Sequence, residues 1–129
     1  MRNIALIGTS KIASVHLRIL QSLNIKKKIY IISRSLRKAK IFIDKSGYKN
    51  FRNIIPSKIQ ILKEKKFYLI DICAATNQHH NFLNKINSNN SIIFIEKPLL
   101  NPDIINSKIS DYLDRVYKKN KKLIVSYPF

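Results

Sequence analysis

The chain has 129 residues, with 25 Lys and Arg against 7 Asp and Glu, a net charge of +18 and 45% hydrophobic residues. That length suits one domain spanning 1–129 rather than two, and the apolar content excludes a disordered basic tail. A single cysteine excludes a disulfide scaffold and a multi-cysteine zinc module and fits a reducing cytoplasm; no apolar run approaches the roughly 18 residues that span a bilayer, and no signal-peptide core follows the start.

Asn3 to Ile7 is a short apolar run ending at Gly8, the pattern of a buried strand. After the turn Gly8-Thr9-Ser10, the apolar residues Ile12, Val15, Ile19 and Leu23 recur at helical spacing and predict a helix from Lys11 to Leu23. Lys28 to Ser33 is β-branched and aromatic and predicts a second strand. A basic helix follows from Ser35 to Asp44, broken by Gly47, and a weaker one from Ser57 to Lys65 after Pro56. Phe67 to Ala75 predicts a strand, Gln78 to Asn87 a helix, and Ser91 to Glu96 a strand stopped by Pro98. Asn101 can cap a helix with Pro102 at its first position, where the missing N–H costs nothing. Ile105, Ile109, Leu113 and Val116 form its apolar face, and Lys118 to Lys122 lie at the end its dipole favours for cations. Lys122 to Tyr127 is a last strand. Alternation of strand and helix to the end predicts an α/β fold, a Rossmann-like doubly wound parallel sheet in a single domain.

The charge has two readings. One is a polyanionic partner. The other is composition: 24 Ile, 19 Lys and 13 Asn are residues that adenine- and thymine-rich codons favour. Lys outnumbers Arg by 19 to 6, whereas phosphate and base recognition prefers Arg. With no aromatic-basic, helix-turn-helix or zinc pattern, no nucleic-acid partner is expected, and no membrane partner. The distribution is more telling, because residues 1–43 hold ten basic residues and no acid.

Both candidate phosphate positions fall in that stretch. In a parallel sheet the first strand-to-helix turn is where a dinucleotide pyrophosphate sits, on the free N–H groups of the helix N-terminus. Here Gly8, Thr9, Ser10, Lys11 and Ile12 form that turn, with Ala13 closing a G-x-S-x-x-A version of the G-x-G-x-x-G/A fingerprint. Ser10 replaces the middle glycine; it crowds the backbone approach, yet its hydroxyl can donate to phosphate. At the end of the second strand an NAD-preferring site carries an acid for the ribose hydroxyls. Ser33, Arg34, Arg37 and Lys38 stand there instead. Guanidinium groups and a serine suit a 2′-phosphate, so the expected cofactor is NADP, with NAD the alternative.

Four ordered features then carry a resemblance: Gly8-x-Ser10-x-x-Ala13 followed by His16; Ser33-Arg34; Ala75-Thr76-Asn77-Gln78-His79-His80; and Glu96-Lys97-Pro98 after an apolar strand. The chain is similar, over nearly its whole length, to the N-terminal domain of the glucose–fructose oxidoreductase / inositol dehydrogenase / MocA-type family. Thr76 departs from the proline of that family's T/S-P-N-x-x-H. The resemblance implies that Lys97 lies near the nicotinamide and substrate, hydrogen-bonds the reacting oxygen and assists proton movement, the one catalytic residue this chain contributes. It implies that Glu96 orients the lysine or contacts ribose, and that Ala75, Thr76, Asn77 and His80 line the cofactor groove with Glu96 and Lys97. The implied activity is hydride transfer to or from a sugar, sugar derivative or cyclic polyol. Members continue into a second domain that supplies most of the substrate pocket and oligomer contacts. This chain is expected to lack it and to be incomplete as a catalyst alone, its small-molecule substrate requiring a second domain or partner chain. The alternative is a non-catalytic dinucleotide-binding or partner module.

The other polar residues have plainer readings. His16 is expected to be a packed, hydrogen-bonded histidine and Cys73 an inert buried thiol. Tyr112 and Tyr117 are expected to pack their helix. No metal site is expected, since His79 and His80, adjacent on a helix, point about 100° apart with no third ligand.

Overall fold

The computed structural model describes residues 1–74, 91–96 and 123–126. Among these residues six strands form one sheet: β1 (Arg2–Ile7), β2 (Lys27–Ile32), β3 (Ile54–Ser57), β4 (Leu69–Ile72), β5 (Ile92–Glu96) and β6 (Leu123–Ser126). Their order is β3-β2-β1-β4-β5-β6, and every neighbouring pair is parallel. This is the doubly wound order in which the chain leaves β1 toward one edge and later returns to build toward the other. Three helices are described, α1 (Lys11–Ser22), α2 (Leu36–Lys45) and the single turn α3 (Ile61–Glu64).

The strands read as near-continuous apolar runs because both faces of the sheet are covered. Ile4 and Leu6 of β1 turn to one face, where they pack with Ile29 and Ile31 of β2 and with Ala13, Leu17 and Leu20 of α1. Ala5 and Ile7 turn to the other, against Tyr30, Ile32, Ile70 and Ile72. Ile93 and Ile95 extend that second layer onto β5. Eleven of these large side chains are essentially inaccessible to solvent. At about 25 cal/mol per Å2 of apolar area, each contributes roughly 1.5–3 kcal/mol against the entropy of ordering the chain.

Both longer helices start on a serine. Ser10 and Ser35 adopt extended backbone, and their hydroxyls accept from the Ala13 and Lys38 N–H groups at 3.3 and 3.2 Å. Each satisfies one of the donors a helix start leaves over. At the far end of α1, the Lys27 ammonium donates to the Leu23 carbonyl at 2.7 Å, placing a cation where the helix dipole is negative. Gly47, just beyond α2, has φ +87°, a conformation that favours glycine.

Two expectations are corrected, and the predicted first helix turns an unexpected side to the sheet. The helix predicted over Ser57–Lys65 shrinks to Ile61–Glu64, and the residues before it form the unanticipated strand β3. Pro56 argues against a strand in the middle of a sheet, but among the described residues β3 is an edge strand paired only with β2, where a missing N–H on the outer side is tolerated. The strand predicted over Phe67–Ala75 is regular only at Leu69–Ile72. In α1 the repeat Ile12, Val15, Ile19, Leu23 is not the buried face: Ile12 is 45% exposed, Ile19 54% and Leu23 40%, whereas Ala13 and Leu17 are fully buried. The helix carries two apolar faces roughly 100° apart, and the small Ala13 lets the first turn approach the sheet. The helices predicted over 78–87 and from Asn101 onward, with Tyr112 and Tyr117, lie outside the described residues.

Candidate functional site

The carboxyl ends of β1 and β4 meet at the point where the winding of the sheet reverses, the position at which parallel sheets bind ligands. Gly8 leaves β1 with φ +120°. Its N–H donates to the Ile32 carbonyl at 2.9 Å, and the Cys73 N–H donates to the Ile7 carbonyl at 2.8 Å. The end of β1 is thereby laced to the ends of both β2 and β4, so closely on the β4 side that a Cβ on Gly8 would stand 2.8 Å from the Cys73 carbonyl oxygen. Both the left-handed backbone and the close approach require glycine here.

From this turn α1 rises with its first N–H groups directed back over the strand ends. Those of Lys11 and Ile12 belong to the first turn, where a helix has no internal acceptors and its dipole is positive. Ser10 caps the helix through its oxygen lone pair, so its hydroxyl proton is left to donate outward. The departure from glycine thus adds a helix cap to the turn.

A pocket of about 310 Å3 opens over the turn. Gly8, Thr9 and Ser10 line one side, Ile32, Ser33, Arg34 and Lys38 the other, and Cys73 and Ala74 the floor. Its size lies at the lower end of the range for small-molecule sites. The structure therefore joins the two halves of the predicted site, the turn after β1 and the polar residues after β2. Ser35 caps α2, and this brings Lys38 in its first turn toward the pocket. Arg37, also predicted, is exposed on α2 and is not among the lining residues, while Lys11 faces the groove on the other side of the turn. No carboxylate lines the pocket among the described residues. Residues that fit a dinucleotide are therefore in place: a glycine turn, a capped helix start and cations beyond the second strand.

Sequence reasoning missed two features beside it. A groove of about 490 Å3 between α1 and α2 continues from Thr9 and Ser10 along Lys11, Arg18, Lys38 and Lys45. The scattering of these cations over two helices hides the groove in the sequence. Beneath the turn, Asp71 of β4 is buried among apolar neighbours. His16 Nδ1 lies 2.7 Å from Asp71 Oδ2, and the His16 ring meets Phe94 edge-on at 5.8 Å. A carboxylate only accepts, so Nδ1 carries the proton. The acid in the apolar run Leu69-Ile70-Asp71-Ile72 was the available signal, because a buried charge requires a partner.

The remaining predicted residues are less fully described. Glu96 ends β5, paired in register with Ser126, and its side chain lies outside the described residues. Ala75, Thr76, Asn77, His79, His80 and Lys97 lie outside them as well.

Comparison with known proteins agrees with this geometry. Residues 2–127 match the family described as oxidoreductases with an NAD-binding Rossmann fold, the Gfo/Idh/MocA proteins. The chain belongs to this family. Solved structures share the Gfo/Idh/MocA Rossmann fold at low identity. A myo-inositol dehydrogenase from Corynebacterium glutamicum superposes with a TM-score of 0.73 at 15% identity, over 98% of this chain and 36% of that one. The myo-inositol dehydrogenase of Lactobacillus casei, in complex with NAD(H) and myo-inositol, gives 0.68 at 14% identity, over 98% and 36%. A 3-ketoreductase from Actinomadura kijaniata, in complex with TDP-benzene and NADP, gives 0.67 at 17% identity, over 95% and 37%. The chain therefore spans little more than a third of the length of these proteins. No curated protein matches it by sequence. No helix among the described residues is long and apolar enough to cross a membrane.

Proposed function

We propose that residues 1–129 form the NADP-binding domain of an oxidoreductase that transfers hydride to or from a sugar, sugar derivative or cyclic polyol. The observation that carries this reading is the pocket joining Gly8, Thr9 and Ser10 to Ser33, Arg34 and Lys38, with no carboxylate among its described lining. The Lys11 and Ile12 N–H groups and the Ser10 hydroxyl hold the pyrophosphate, and Gly8 keeps the turn open for its approach. Ser33, Arg34 and Lys38 hold the 2′-phosphate through charge-assisted hydrogen bonds, with Arg37 adding a more distant positive charge. An acid at the end of β2 would instead repel that phosphate.

The bound dinucleotide supplies the hydride chemistry itself. On this chain Lys97, just past β5, polarises the reacting oxygen and carries its proton, and Glu96 orients the lysine or contacts ribose. Ala75, Thr76, Asn77 and His80, following β4, line the nicotinamide side of the groove. These roles rest on the family resemblance of the two segments and on their position after the carboxyl ends of β4 and β5, where such sheets bind ligands. Similarity to inositol dehydrogenases supports a polyhydroxylated substrate. The rest of its pocket comes from a second domain or a partner chain, itself or a further copy. The single cysteine fits a cytoplasmic setting.

Titration of the chain with NADPH, read by nicotinamide fluorescence, tests the reading. Saturable one-to-one binding is expected, weakened about tenfold or more in an Arg34→Ala, Lys38→Ala double variant. Absence of saturable binding to the folded chain overturns it. Lys97→Ala is expected to keep cofactor binding and to abolish turnover wherever a second domain restores it.

A further inference from the structure

Beneath the phosphate turn, His16 of α1, Asp71 of β4 and Cys73 just past β4 converge. One donor atom from each, Nδ1, a carboxylate oxygen and Sγ, lies within 4.8 Å of the others. Nδ1 is 2.7 Å from Asp71 Oδ2 and 3.2 Å from Cys73 Sγ, and Sγ is 3.4 Å from Asp71 Oδ1. A Cys–His–Asp arrangement suggests an activated nucleophile, but the geometry excludes that relay. In such a triad the base meets its two partners through different ring nitrogens, whereas here sulfur and carboxylate both meet Nδ1.

Nitrogen, sulfur and carboxylate oxygen crowded about one point suit a cation. Around a tetrahedral Zn²⁺, bonds of roughly 2.0–2.3 Å hold the ligand atoms about 3.3–3.6 Å apart. The two sulfur separations already approach that spacing. The carboxylate meets Nδ1 through Oδ2 and Sγ through Oδ1, so it must turn to offer one oxygen to the ion, and a ligating Oδ2 moves about half an ångström away from Nδ1. A thiolate with an imidazole selects zinc and its chemical analogues over magnesium or calcium, which take all-oxygen sets. The surroundings also fit. The Asp71 side chain is 6% exposed and that of His16 14%, and Cys73 is buried. A largely apolar pocket of about 250 Å3, walled by Ile19, Leu69, Ile92 and Phe94, reaches His16 and Asp71. It offers an entry path and room for a water as fourth ligand.

We propose that His16, Asp71 and Cys73 form a three-ligand site for a borderline divalent cation of the zinc type, with the fourth position facing the apolar pocket. Binding replaces the thiol proton, which leaves to solvent, and moves the imidazole proton from Nδ1 to Nε2, so a neutral imidazole contributes no net proton. The ion ties α1 to the end of β4. Cys73 also floors the cofactor pocket, and its carbonyl abuts Gly8, so the ion braces the turn from below without touching the cofactor.

The test is a Co²⁺ titration of the chelator-stripped 129-residue chain, followed by absorption. One equivalent is expected to produce a thiolate-to-cobalt charge-transfer band that zinc abolishes and a large excess of magnesium leaves intact. Cys73→Ser is expected to remove the band, and His16→Gln and Asp71→Asn to weaken binding at least tenfold. A folded wild-type chain without the band overturns the proposal, even if cobalt binds elsewhere through nitrogen and oxygen alone. So does a band that keeps its affinity in folded His16→Gln. The wild-type spectrum decides the matter alone where a variant fails to fold, and the outcome is independent of dinucleotide binding.

Discussion

The two flanks of α1 treat charge in opposite ways. Toward α2, the exposed Lys11, Arg18, Lys38 and Lys45 line an open groove with no carboxylate among its described residues. Toward β4, a single carboxylate is buried and fastened to His16 at 2.7 Å. The contrast shows how a chain of charge +18 folds. Unpaired cations are inexpensive where water solvates them, and their mutual repulsion is screened within about 10 Å. A charge under the sheet surface survives only with hydrogen-bonding partners. The groove is thus free to vary or to hold an anion, whereas the buried cluster is not.

The change that disturbs both flanks together is expected to have the largest effect. Gly8→Val places a β-branched residue at φ +120° and drives its Cβ against the Cys73 carbonyl at 2.8 Å. The backbone strain alone costs on the order of 1–3 kcal/mol, and the strand ends must part. Thermal melting should show a large loss of stability together with loss of NADPH binding. A Gly8→Val chain of normal stability would mean that the strand ends are not laced as described. Next comes the sheet-facing side of α1, where Leu17→Ala should cost about 2–5 kcal/mol in urea unfolding, because Leu17 is fully buried.

Asp71→Ala sharpens the comparison directly. It strips the acceptor from the half-buried His16 and the buried Cys73 and should cost roughly 1–3 kcal/mol. Lys45→Ala on the opposite flank should stay within about 0.5 kcal/mol. Equal effects of the two would dissolve the distinction between the flanks. Ile19→Ala should be the mildest, also within about 0.5 kcal/mol, because Ile19 is 54% exposed.

The phosphate turn is the part most legible in the sequence, because its signals are local. An apolar run, one of only two glycines and a helical repeat follow one another within 23 residues. Ser35 and Lys38 likewise sit where helix capping places them. Three features were less legible for separate reasons. Pro56 hid β3, since the sequence does not show which strand is an edge. Periodicity found α1 but chose its outer stripe, since Ile12, Ile19 and Leu23 are more apolar than the buried Ala13, and only the sheet decides which side is covered. The partnership of His16 and Asp71 spans 55 positions, so neither residue alone predicts it. Cofactor choice is a residue-level matter in the same way. The shared fold accommodates NAD(H) in the Lactobacillus casei enzyme and NADP in the Actinomadura kijaniata enzyme, so the difference must come from side chains such as those after β2.

The most direct test compares the dissociation constants of NADPH and NADH for the unaltered chain at one salt concentration. On the proposed placement of the 2′-phosphate against Ser33, Arg34 and Lys38, NADPH should bind more tightly by about tenfold or more, the equivalent of one charge-assisted hydrogen bond. Substitution of Arg34 and Lys38 by alanine should erase that ratio while leaving NADH affinity within about threefold. Equal or tighter binding of NADH by the unaltered chain would contradict the account.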